Sequence, residues 1–298
     1  MITLAIVLLL VGLHLGFRAP RVIEQGAPPG FAHAVSETGI TTVRGKRLFA
    51  WFIPSAAAQT TVVVQHGWGG NIAMMLPLAK PFSCAGFNVL LADARNHGRS
   101  DSDGHSSLPK FAEDVSACVD WLKAAHPARA GRIVLVGHSV GAAAALLAAS
   151  RRADVSAVIS ISAFAHPSWM MRRALRRWPL PDLVVRLVLR YVEWVIGHRF
   201  DAIAPLSTAG RLRCPLLLVH GAADTTVPVS DAHAIAQAHR TRLQLLEVAD
   251  AAHDSVERIE AHAPALLAFL AQHGIGADDT PSQCGGQGRQ ADHARHDN

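Results

Sequence analysis

One short segment constrains this chain more than any other. Gly137-His138-Ser139-Val140-Gly141 stands between an apolar run at 132–136 and an Ala-rich stretch at 140–149. Gly-x-Ser-x-Gly between a strand and a helix requires a turn so tight that the Ser is held in strained backbone geometry. The flanking glycines give neighbouring backbone room that a Cβ would fill. Such a turn projects Ser139 Oγ above the carboxyl end of the sheet, with a helix N-terminus beneath it that favours developing negative charge. An ordinary Gly-rich turn with a capping Ser can show the same letters. The strand before the motif and the helix after it separate the two cases.

Around the motif, runs of β-forming residues alternate with helix-like stretches. Residues 60–65 (Thr-Thr-Val-Val-Val-Gln) read as a buried central strand. Further strands are expected at 87–92, 132–136, 158–162, 216–220 and 243–248. Helices are expected at 74–85, 108–125, 140–149, 231–240 and 254–273. Ahead of these, 34–43 and 46–53 form a hairpin that turns at Arg44-Gly45. The rhythm predicts an α/β fold, a mostly parallel sheet of eight-stranded type with helices on both faces, in one domain over 34–273. One stretch breaks the rhythm: 166–213 is long, helical and basic, and is expected to be an inserted cap.

Two further loops complete a constellation. His66-Gly67-Trp68-Gly69-Gly70-Asn71 follows the first central strand. It lacks the Gly-Lys-Ser/Thr of a phosphate-binding loop and the GxGxxG spacing of a dinucleotide fold. Acyl transfer needs two backbone N–H groups aimed at one oxyanion, and the expected pair is Trp68 and Val140. Asp224 stands just after the strand at 216–220, and His253 follows the last strand. The chain order is then Ser139, Asp224, His253. His253 is the expected base for Ser139, and Asp224 the acid that orients it. Asp231, Asp250 and Asp254 are the rivals for the acid. His233, His239 and His262 are the rivals for the base.

With these residues in place the chain resembles the α/β-hydrolase superfamily, most of all the BEM46-like and serine-aminopeptidase (S33, monoacylglycerol-lipase-like) serine hydrolases. The resemblance spans about 34–271. It rests on His66-Gly67-Trp68-Gly69, on 93–100 (Asp-Ala-Arg-Asn-His-Gly-Arg-Ser), on the Ser139 motif, on His220-Gly221-Ala222-Ala223-Asp224 with Val227-Pro228, and on His253. It implies the α/β-hydrolase fold and a cofactor-independent serine hydrolase. Ester cleavage leads, with thioester, amide or peptide cleavage and acyl transfer as alternatives. A non-catalytic membrane scaffold with the same fold is the reading from another class. It also implies structural roles for Asp93 and His97. Asn96 departs from the Gly often found at its position.

The ends and the cap bear on location. Residues 2–17 are almost wholly apolar; as a helix they reach about 24 Å, a short membrane span. No basic residue precedes the run and no small-x-small cleavage site follows it, so an uncleaved anchor over 1–17 is expected. Arg18 and Arg21 then place the main body on the cytoplasmic side. Residues 18–33 read as a Pro/Gly-rich linker and 274–298 as a disordered polar tail. The four cysteines, Cys84, Cys118, Cys214 and Cys284, have no metal-ligand spacing and are expected as free thiols. In the cap, Arg172, Arg173, Arg176 and Arg177 are expected on one basic face. Asp182 is expected to cap the helix that follows. Two readings of the cap stay open: a lid resting on an anionic membrane, or a packed cap whose arginines are merely solvated. The sequence holds no nucleic-acid-binding fold or aromatic platform, so the partner is expected to be a small acyl ester or lipid-like molecule rather than nucleic acid.

Overall fold

The structure is a computed structural model. It describes residues 12, 16–24, 26, 35–56, 58–239 and 243–276. Most of the expected anchor (1–17), part of the linker and nearly all of the expected tail lie outside them. Among the described residues no helix is long and apolar enough to cross a membrane.

Eight strands form one sheet: β1 Ser36–Thr41, β2 Arg47–Ile53, β3 Thr60–Gln65, β4 Asn88–Ala92, β5 Arg132–His138, β6 Ala157–Ile161, β7 Leu216–Gly221 and β8 Leu243–Val248. Their order is β1-β2-β4-β3-β5-β6-β7-β8. β2 pairs antiparallel with β1 and β4, and every other pairing is parallel. The eight-stranded, mostly parallel sheet expected from the alternation is therefore present. β3 and β4 are buried on both faces because helices cover both. Val62 and Val64 pack into one apolar layer and Val63 into the other, so the strand reads as a continuous apolar run rather than an alternating one.

The longer helices are α1 Leu76–Cys84, α2 Leu108–Ala125, α3 Val140–Ala149, α4 Pro167–Leu175, α5 Asp182–Ile196, α6 Ser230–Ala238 and α7 Ala263–Gln272. Every residue of α3 is buried. Its run of small Ala side chains lets it pack closely on β5 and β6. The hairpin turns where expected, with Arg44 and Gly45 both left-handed (φ 59° and 67°). The helix expected over 254–273 is instead two pieces, Val256–Glu260 and α7. Pro264 lies in the first turn of α7, where its missing N–H costs nothing but cannot continue a helix from before.

Three further expectations change. Asp182 is the first residue of α5 rather than its cap; Pro181 holds that position. Cys118 and Cys214 are free thiols, but Cys84 is disulfide-bonded. The last residue of the expected anchor and part of the expected linker are docked on the domain. The Phe17 carbonyl accepts from Ser106 N–H at 3.0 Å, and the Val22 carbonyl accepts from Asn71 Nδ2 at 3.1 Å.

Candidate active site

The site forms where β3, β5, β7 and β8 end. Ser139 joins β5 to α3 with φ 56° and ψ −119°, a conformation few non-Gly residues adopt. Its N–H donates to the Ile161 carbonyl at 2.9 Å, which pins the turn to β6. The two glycines of the motif are required by contact. A Cβ on Gly137 would stand 2.3 Å from the Gly141 carbonyl oxygen, and one on Gly141 2.4 Å from the His66 carbonyl oxygen. Gly141→Ala is therefore expected to cost about 3 kcal/mol, read as a fall in the urea midpoint. An unchanged midpoint would show that the backbone yields freely there.

Three side chains far apart in sequence meet at this turn. Ser139 Oγ–H donates to His253 Nε2 at 3.0 Å, and His253 Nδ1–H donates to Asp224 Oδ2 at 2.7 Å. Asp224 is buried, and its Oδ1 accepts from Thr226 N–H at 2.9 Å and Val227 N–H at 2.8 Å. Burial alone would raise its carboxyl pKa. The hydrogen bonds from His253 and Val227 outweigh that and hold it below the ordinary value, so the group is a carboxylate. A carboxylate only accepts, which fixes the proton of neutral His253 on Nδ1 and leaves Nε2 to receive the Ser proton.

Asp231 and the rival histidines are committed elsewhere, whereas Asp254 lies close to His138 and His253 without a bond to either ring. Asp231 is buried in the first turn of α6, where it accepts from Ala165 N–H and from Arg173. Asp250 is exposed and lies 3.9 Å from Arg258. His233 pairs with Glu247, His239 with the Leu206 carbonyl and His262 with the Arg258 carbonyl.

The loop after β3 is braced from below. His66 Nδ1–H donates to the Gly67 carbonyl at 2.7 Å, and its Nε2 accepts from Ala94 N–H at 2.9 Å. Burial holds this imidazole down to a pKa of about 4, so it stays neutral. Asp93 accepts from Ile72 N–H and Arg99 N–H, tying the end of β4 to the same loop; burial raises its pKa to about 6. Gly67–Gly70 then forms a tight turn with Gly69 left-handed, and Trp68 stands at its tip, 40% exposed. Among the described residues neither the Trp68 nor the Val140 backbone N–H has a protein acceptor. Asn96 is left-handed (φ 69°), a conformation Asn tolerates better than most residues, so it serves where Gly is usual.

One residue of the motif has a role the sequence reading did not assign. His138 is buried, and its Nε2–H donates to the His253 carbonyl at 2.7 Å. It thereby ties the loop that carries His253 to the nucleophile's own turn. Burial lowers its pKa, which keeps it neutral. Periodicity carries no trace of this bond, because its partners are 115 positions apart. His138, His253 and Asp254 also have ligand atoms within 4.8 Å of one another. Both ring nitrogens of His253 are already engaged, so a metal bound there would displace Ser139 or Asp224.

Comparison with known proteins places the fold. The uncharacterized protein YfhR of Escherichia coli (strain K12) is 28% identical over 236 residues, covering 76% of this chain and 75% of YfhR. The fold is similar to that of the Pyrococcus furiosus esterase Pf2001 (TM-score 0.70, 24% identity, 86% of this chain and 97% of that one). It is also similar to Est1E of Butyrivibrio proteoclasticus, solved with ferulic acid bound (TM-score 0.61, 20% identity, 78% and 99%). Residues 56–207, half of the chain, match the family model described as serine aminopeptidase, S33. The buried sheet, the strained turn at Ser139 and that match lead to one assignment: the chain belongs to the serine aminopeptidase S33 family of α/β hydrolases.

Proposed function

We propose that the protein is a serine hydrolase that cleaves carboxylic esters of medium-chain or lipid-like acyl groups. The observation that carries this reading is the unbroken hydrogen-bond relay from Ser139 through His253 to Asp224. Ser139 Oγ attacks the acyl carbon as His253 Nε2 takes its proton. The Trp68 and Val140 amides hold the resulting oxyanion, and Asp224 stabilises the imidazolium. The tetrahedral intermediate collapses, His253 returns the proton to the leaving alcohol, and an acyl-Ser139 remains. Water, deprotonated by His253, then attacks that acyl group; Ser139 recovers its proton and the acid departs.

The apolar run at 2–17 supports an N-terminal membrane anchor, and Arg18 and Arg21 support a cytoplasmic body. The exposed indole of Trp68, next in the chain to the Gly67 that abuts Ser139, favours an apolar acyl group. The family's description leaves amides in contention. The deciding experiment compares p-nitrophenyl esters of graded chain length with matched thioesters and anilides. Esters of medium chains are expected to give the highest kcat/KM. A thioester or anilide turned over faster than every ester would overturn the substrate class.

A further inference from the structure

Nine Arg and three acidic residues lie in 166–213, a net charge of +6, against +5 for the whole chain. The molecule's positive charge is thus essentially that of its cap. Five of the large apolar side chains exposed among the described residues are there too: Trp169, Trp178, Leu183, Leu187 and Trp194.

α5 shows why this is more than a packed cap. Val185, Val188, Leu189 and Val192 are buried and hold the helix to the domain. Leu183, Leu187 and Trp194 lie on the opposite side, 60%, 61% and 77% exposed. A helix needs one apolar stripe to dock on its own protein, and this one has a second that faces outward. Arg186 and Arg190 are exposed beside it.

In α4 and the turn after it the arginines divide. Arg173 turns inward, and its two terminal nitrogens bond Asp231 at 2.9 and 2.8 Å. That pair ties the cap to α6, so the expectation of four arginines on one basic face is corrected to three. Arg172, Arg176 and Arg177 are exposed and form no ion pair among the described residues. Trp178, 67% exposed, follows them directly.

Indole rings beside unpaired guanidinium groups match the boundary of an anionic bilayer. There the rings sit among the headgroups and the arginines reach the phosphates. A second copy of the chain fits worse, because a two-fold interface would bring the same arginines face to face. Four more exposed apolar side chains, Val22, Ile23, Trp68 and Met74, lie on the docked N-terminal segment and on the loop after β3. The Val22 carbonyl–Asn71 bond joins these two. Exposed apolar side chains therefore also stand on the loop whose Gly67 abuts the Ser139 turn.

We propose that the exposed face of α4, α5 and the turn between them seats on an anionic phospholipid surface and sets the Ser139 site against the bilayer. Lipid binding stands on the cap alone; that the bound bilayer also supplies substrate rests on the esterase reading.

The test uses the full chain with vesicles of phosphatidylcholine alone or with one-third phosphatidylglycerol, in co-sedimentation at two salt concentrations. The wild type is expected to prefer the anionic vesicles by about tenfold at low salt, and less at high salt. R172E/R176E/R177E is expected to lose that preference while still cleaving a water-soluble short-chain ester at the wild-type rate. Trp178→Ser with Trp194→Ser is expected to weaken binding to anionic vesicles severalfold with the charge unchanged. A wild type without anionic preference, or a charge-reversed variant that keeps it, would overturn the proposal. So would a dimer, seen by sedimentation, that dissociates in the tryptophan variant. Failure of the ester assay with vesicle preference intact would instead sink the esterase reading alone.

Discussion

Ser139→Ala is expected to reduce ester turnover by roughly 10⁴- to 10⁶-fold and to abolish labelling by a fluorophosphonate probe. The substitution removes the atom that attacks and little else. Ser139 Oγ has one hydrogen bond, to His253, while the backbone N–H that pins the turn to Ile161 is untouched. Ala keeps a Cβ in the same left-handed conformation, so the turn carries the same strain with or without the hydroxyl. A Tm within a few degrees of the wild type is therefore expected alongside the lost activity. What remains should be the modest acceleration supplied by substrate positioning and the two amides. Wild-type turnover in a folded Ser139→Ala protein would end the reading of Ser139 as the nucleophile; no turnover with biological function retained would favour the scaffold alternative.

Asp224→Asn is expected to cost about 10⁴-fold in kcat, for a different reason. Oδ1 of Asp224 accepts from two backbone N–H groups, Thr226 and Val227. In the variant only the amide oxygen can keep those bonds, so the NH₂ must take the place of Oδ2 and face His253. Two donors would then meet unless His253 moves its proton from Nδ1 to Nε2. The imidazole would offer Ser139 a proton instead of accepting one. Asp250→Asn provides the contrast. Asp250 is a rival by position in the sequence but is exposed, and its variant should retain the wild-type rate. Near-wild-type kcat in Asp224→Asn would show that another group orients His253.

Much of this was legible in the chain because it is local. A strand buried on both faces must be apolar throughout, so 60–65 and 132–136 could be read directly, and the helices at 108–125 and 140–149 match α2 and α3. The Ser139 turn was legible because sterics at Gly137 and Gly141 leave no other residue type. Where a local rule was absent, the reading slipped. Periodicity runs through 254–273 without showing the break before α7. Four arginines at helical spacing suggested one face, yet Arg173 turns inward to Asp231.

The sequence by itself determined the alternation of strands and helices and the tight turn at Ser139. Each of these follows from backbone sterics or from burial over a few consecutive residues. Only the tertiary structure decided which Asp faces His253, that His138 supports the loop carrying that base, and that α5 keeps an apolar stripe with no internal partner. These depend on side chains that are distant in sequence and meet through the packing of the whole sheet. No short-range pattern records such meetings, because the residues between them are free to vary without changing which groups the fold brings together.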